Sequence, residues 1–134
     1  MESHKGSCHC RTVVFEVTGN IREVHICNCS ICTKKGIVHS LIDNQNLRII
    51  SGENSLSVYQ CGTKEASHWF CKTCGIHVFG RPRMNPKRYT VNVRCLDHFE
   101  RIFSESREVR FNGKQHPLDD RTGREIPHPH SRDA

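Results

Sequence analysis

The sequence predicts an all-β domain. Short runs of β-branched and aromatic residues recur between turn-forming tracts, and no segment of ten or more residues carries a 3.6-residue apolar period. The third observation is the cysteine distribution, because seven of nine cysteines are clustered. They form Cys8-His9-Cys10, Cys27-Asn28-Cys29-Ser30-Ile31-Cys32 and Cys71-Lys72-Thr73-Cys74-Gly75, leaving Cys61 and Cys95 isolated. With 35% hydrophobic residues and a mean hydropathy of −0.61, the core is lean and would gain from metal staples. Structural zinc contributes about 10–16 kcal/mol in small peptides, against a net stability of about 5–15 kcal/mol for a typical domain.

Taken in order, Arg11–Thr18 reads as a strand, Gly19-Asn20 as a turn, and Ile21–Ile26 as extended chain entering the central thiol cluster. Lys34-Lys35-Gly36 breaks the pattern before strands at Ile37–Ile42 and Leu47–Ile50, with Asp43-Asn44-Gln45-Asn46 turning between them. Ser51-Gly52-Glu53-Asn54 is a second turn and Ser55–Gln60 a further strand. Ala66–Phe70 and Ile76–Phe79 then make a hairpin with Cys71 and Cys74 at its tip. Gly75 supplies the positive φ that closes a metal knuckle cheaply. Arg81–Arg88, with two prolines and four basic residues, reads as a loop, and Tyr89–Arg94 alternates as a strand. Leu96–Phe103 has room for a turn or two of helix, and Glu108–Phe111 for a last strand. The organisation is one domain over residues 1–116 and a polar, flexible tail over 117–134.

Bulk composition narrows the function classes. No window of about 18 apolar residues is present, and Met1–Gly6 lacks the apolar core of a signal peptide, so no membrane partner is expected. An odd number of cysteines in C-x-C and C-x-x-C spacing suits a reducing compartment and metal binding better than a disulfide framework. The expected location is the cytoplasm, or the cytoplasm and nucleus. A net charge of +6 suits an anionic partner, either a small carboxylated molecule or, less favoured, nucleic acid.

Zinc in a structural site takes four ligands, whereas catalytic zinc has three protein ligands and an open position. Seven thiols divide into one of each. Cys8, Cys10, Cys71 and Cys74 make a closed site that ties the start of the chain to its middle. Cys27, Cys29 and Cys32 make a three-thiol site open to water or an exogenous thiol. Spacing also permits Cys61, Cys95, His25, His39 or His77 as a fourth ligand there, and a pairing of Cys8 and Cys10 with the central trio, although the open site is the favoured reading. A redox reading of Cys71-x-x-Cys74 is weaker, since no helix is expected to start at Cys71. Cys61 and Cys95 read as buried apolar residues. Lys34, Lys35, Arg81, Arg83, Lys87 and Arg88 flank the knuckles in sequence and are candidates for gripping substrate carboxylates.

With the thiols placed, the pattern resembles the glutathione-dependent formaldehyde-activating enzyme family, which includes centromere protein V. The matching stretches are Gly6-Ser7-Cys8-His9-Cys10, Cys27-Asn28-Cys29-Ser30-Ile31-Cys32 and Phe70-Cys71-Lys72-Thr73-Cys74-Gly75-Ile76-His77. Val91-Asn92-Val93-Arg94-Cys95-Leu96-Asp97 is similar to the strand that follows, and the likeness covers about residues 5–113. The resemblance implies a β-tent fold like that of methionine sulfoxide reductase B and the Rab-exchange-factor zinc domains. It maps Cys8, Cys10, Cys71 and Cys74 onto a structural zinc and Cys27, Cys29 and Cys32 onto a catalytic one. The function it implies is a carbon–sulfur lyase forming or cleaving an S-hydroxymethyl adduct of glutathione. The alternative is a non-catalytic, zinc-stabilised module that binds protein or nucleic acid. Arg11 departs from the family pattern, which has glycine after the first thiol pair.

Overall fold

Strand formation follows the short β-branched runs. The computed structural model describes residues 2–60, 66–83 and 87–113. The strands are β1 (Ser3–Ser7), β2 (Val14–Thr18), β3 (Glu23–Cys27), β4 (His39–Asp43), β5 (Leu47–Ser51), β6 (Leu56–Tyr59), β7 (Ser67–Cys71), β8 (His77–Arg81), β9 (Arg88–Asn92) and β10 (Arg107–Phe111). Two short α-helices, α1 (Ser30–Lys35) and α2 (Phe99–Glu105), and single 3-10 turns at Asn44–Asn46, Glu53–Ser55 and Val93–Cys95 complete the described elements, so the fold is mostly β. No described helix is long and apolar enough to cross a membrane.

The strands form a three-stranded sheet, β1-β2-β5, and a seven-stranded sheet, β10-β3-β4-β9-β8-β7-β6. Alternation in β2 turns Phe15 and Val17 inward from the small sheet. They join Val13 and the large sheet's Val24, Val78 and Val91, with Val93, Leu96 and Ile102, in one apolar cluster. Burying a side chain of this kind is worth roughly 1.5–3 kcal/mol, so this shared cluster fixes how the sheets meet. Pairing is antiparallel except for β10, which lies parallel to β3 with Phe111 beside Cys27.

Three local expectations need correction. Arg11–Val13 does not extend β2 but closes the turn after Cys10, because the thiol pair needs those residues to double back: Cys8 N donates to Val13 O at 3.0 Å. β1 was invisible as a strand because Ser-His-Lys-Gly-Ser has no apolar alternation. It pairs with β2 in register from Ser3↔Thr18 to Ser7↔Val14, and Gly6 leaves room for the Phe15 ring. Helix α1 occupies Ser30–Lys35, where only a break was expected. Six residues are too few to show a helical period, although Lys34 and Lys35 in the last turn and Gly36 as left-handed C-cap are ordinary stop signals. Most other strands shift by only a residue or two, and α2 begins three residues later than the helical turns expected from Leu96. Cys61 and the expected tail, residues 117–134, lie outside the described residues.

Candidate metal centres

The tip of the β7–β8 hairpin meets the turn after β1, and this junction brings four thiols together. Cys71 ends β7 and is fully buried. Its N–H donates to Ile76 O at 2.9 Å, while Gly75 (φ 80°) turns back to donate to Cys71 O at 2.7 Å. Cys8 accepts from Val13 N–H at its sulfur, 3.3 Å away. The Sγ atoms of Cys8, Cys10, Cys71 and Cys74 all lie within 4.8 Å of one another. Cys8 to Cys10 is 3.6 Å and Cys10 to Cys71 is 3.8 Å. A tetrahedron with zinc–sulfur bonds of 2.3 Å has edges of about 3.8 Å, so the cluster fits such an ion; a disulfide would need about 2.05 Å. All described cysteines are free thiols.

Arg11, the departure noted above, has φ 64°, the one non-glycine residue with positive φ among those described. A left-handed conformation costs a side-chain-bearing residue roughly 1–2 kcal/mol. Arg11→Gly is therefore expected to stabilise the fold by about 1 kcal/mol, after the unfolded chain's added freedom offsets part of the gain. Denaturant midpoints of the two proteins measure it, and a lower midpoint for the glycine variant refutes the strain reading.

The second cluster forms where β3 runs into α1. Cys27 ends β3, Cys29 caps α1, and Cys32 sits buried in its first turn. These three sulfurs also lie within 4.8 Å of one another. Among the described residues, no histidine, cysteine or carboxylate joins them as a fourth within that span. Cys27 and Cys29 remain half-exposed, so the cluster has an open side. Cys29 is held well below the usual thiol range, first by hydrogen bonds from Cys27 and Cys32 and then by the backbone N–H groups of Cys32 and Ile31. Cys27 is correspondingly pushed up by its contact with Cys29 and by burial, and Cys32 by its contacts with Cys27 and Cys29 and by burial. The end of β10 and the residue after it pack beside the trio: Asn28 N–H donates to Phe111 O at 3.3 Å, and Asn28 Nδ2 to Asn112 Oδ1 at 3.1 Å.

Of the alternative fourth ligands, His39 touches one sulfur, with Nε2 3.3 Å from Cys32 Sγ. Cys95 packs elsewhere and donates to His77 O at 3.5 Å. Burial pushes its thiol up to about 12, as expected of a sulfur used for packing. The candidate cations divide. Arg88 is paired with Asp43 at 2.9 Å, and Arg81 stacks on Tyr89 and donates to Asn44. Lys35 stands beside the trio, with Nζ 3.1 Å from His77 Nδ1. Arg94, which sequence reasoning passed over, donates to Gly36 O at 3.2 Å and stacks on Phe99.

His77 is 5% exposed, and burial, then the nearby Lys35 charge, hold its imidazole down to about 2. The folded value lies below the unfolded one of about 6.5, so the unfolded chain binds more protons between them. Stability from the neutral ring is full above about pH 6.5 and falls with pH, by about 2 kcal/mol at pH 5. His77→Asn should flatten this slope in denaturant titrations run from pH 7 to 5; parallel slopes would show that the ring is not the group responsible.

A family model described as glutathione-dependent formaldehyde-activating enzyme matches residues 3–112. Relatives bearing this family name include a Penicillium rubens protein, 35% identical over 79 residues, and an Emericella nidulans protein, 32% identical over 79 residues. Each match covers 55% of this chain and, respectively, 41% and 40% of the relative. The chain thus spans about two fifths of the length of these curated relatives. Among solved structures it is similar to the crystal structure of a Rhodobacter sphaeroides protein, with a TM-score of 0.69 and 36% identity over 78% of this chain and 99% of that one.

Proposed function

Because this chain belongs to the glutathione-dependent formaldehyde-activating enzyme family, we propose that it is a zinc-dependent carbon–sulfur lyase acting at Cys27, Cys29 and Cys32. The carrying observation is the asymmetry of the clusters: one offers four sulfurs, the other three and an open side. Cys8, Cys10, Cys71 and Cys74 would hold a structural zinc, and the trio a second. When bound there, zinc supplies a Lewis-acidic partner that keeps an incoming thiol deprotonated at neutral pH.

The net reaction is addition of a thiol, glutathione in this reading, to formaldehyde. A carbon–sulfur bond forms, the carbonyl π bond opens, and the proton lost from sulfur ends on the new hydroxyl oxygen. The trio presents the thiol at its half-exposed mouth, where solvent can return that proton. Exposed Lys34, in the last turn of α1, and Arg94, fixed against Gly36, put cations about one short helix length from the trio. They suit the carboxylates of a tripeptide, and holding both reactants in register lowers the entropic part of the barrier.

X-ray absorption at the zinc edge, followed through a glutathione titration, tests this reading. Added glutathione should change the sulfur shell of one of two zincs. If it neither enters the shell nor displaces metal, the enzyme reading fails. Gly113 offers a second check, since a Cβ there would overlap Cys27 Sγ and stand 2.9 Å from Cys29 Cβ. Overpacking of this kind costs about 1–3 kcal/mol. Gly113→Ala should weaken metal binding at the trio roughly ten- to hundredfold by that cost, with the four-cysteine site unchanged; competition with a chromogenic chelator reads it.

A further inference from the structure

Behind the trio, two buried imidazoles each have one nitrogen with a partner and one without. His39, on β4, places Nε2 against Cys32 Sγ, and its Nδ1 is buried with no hydrogen-bond partner. His77, on β8, places Nδ1 against Lys35 Nζ, and its Nε2 is buried with no partner. The rings pack edge to face, with centroids 6.2 Å apart and planes at 85°. An ammonium has only donors, so His77 Nδ1 must accept from Lys35, which leaves the ring proton on Nε2. A metal-bound thiolate has only acceptors, so beside Cys32 the proton of His39 must sit on Nε2, leaving Nδ1 an acceptor. The two unpartnered nitrogens are then one donor and one acceptor.

We propose that His39 is a positioning residue for the three-cysteine centre. It donates an N–H···S hydrogen bond from Nε2 to the Cys32 thiolate, and the buried His77 ring, packed edge to face against it, holds the imidazole in place. The proposal rests on the reading that the trio holds a metal. Three thiolates around a divalent ion leave a net negative charge, which blunts its ability to hold a fourth thiol deprotonated. Donation to Cys32 draws off part of that charge and ties this sulfur in place, so that Cys32 remains fixed when a thiol arrives. Groups that orient metal ligands in this way typically change metal affinity by about 10–100-fold.

The test uses the 134-residue chain as wild type, His39→Phe and His39→Gln, each loaded with cobalt(II) in place of zinc. His39→Phe should weaken cobalt at the trio by about 10–100-fold and shift its sulfur-to-cobalt charge-transfer band. The four-cysteine site should keep its spectrum, which also reports that the variant is folded. His39→Gln, which retains a donor, should recover much of the affinity and the band position. Nitrogen-15 NMR of metal-loaded wild type, labelled at histidine, should show both His39 and His77 protonated on Nε2. A proton on His39 Nδ1, or a phenylalanine variant with unchanged affinity and band, overturns the proposal while leaving the enzyme reading intact. Should the His39 effects appear but glutathione leave the cobalt spectrum unmoved, the enzyme reading fails and the positioning role stands.

Discussion

Cys71→Ser is expected to leave most of the chain unfolded. Cys71 is fully buried at the point where the β7–β8 hairpin meets the turn after β1, and its sulfur lies 3.8 Å from that of Cys10. A serine hydroxyl there could neither serve as a thiolate ligand nor find solvent. Loss of a structural zinc removes about 10–16 kcal/mol, as large as the net stability of an ordinary domain. Circular dichroism, metal content after dialysis and limited proteolysis measure the outcome. Cys95→Ser is the control: its sulfur packs near the same site without joining it, so its loss should cost about 1–2 kcal/mol and no metal. A Cys71→Ser protein that keeps a cooperative unfolding transition at wild-type temperature would refute a structural role for the four-sulfur cluster.

Cys29→Ser should do the opposite, sparing the fold and abolishing chemistry. Cys29 is half-exposed, sits at the start of α1, and receives hydrogen bonds from both neighbouring sulfurs and from backbone N–H groups. These contacts make it the sulfur that carries negative charge most readily. Serine can occupy the position and cap α1, a role it fills well, but its hydroxyl stays protonated at neutral pH. The expected protein holds one zinc in place of two, unfolds within a few degrees of wild type, and adds thiol to formaldehyde no faster than buffer does. Metal analysis and carbon-13 NMR of labelled formaldehyde exchanging with glutathione supply the readouts. Wild-type exchange rates in this variant would remove the trio from the mechanism.

Strand order along the chain was largely legible before the structure, because short β-branched and aromatic runs mark the strands, and alternation at Phe15 and Val17 reports burial on one face directly. β1 and α1 were not. Ser3–Ser7 becomes a strand through its partner β2, and Ser30–Lys35 is too short for periodicity to register. The thiol groupings were legible in part: C-x-C and C-x-x-C spacing brings sulfurs within one ligand edge locally, whichever fold surrounds them. Basic residues near the knuckles in sequence divide in the structure, with Lys34 and Lys35 on the last turn of α1. Arg81 and Arg88 turned out to face Asn44, Tyr89 and Asp43, whereas distant Arg94 reaches Gly36.

The sequence by itself determined the donor inventory, the β-rich class and the family, since each depends on residue type and short-range spacing. Tertiary structure decided what stands beside what. It set Cys8 and Cys10 against Cys71 and Cys74 across the chain, laid β10 parallel to β3 so that Gly113 crosses Cys27, and backed Cys32 with His39, His77 and Lys35. Most of those neighbours come from segments far apart in the chain, and their placement follows from the apolar cluster that both sheets share. Local alternation can mark a residue such as Phe15 as inward-facing, but which inward-facing residues meet is a property of the assembled sheets.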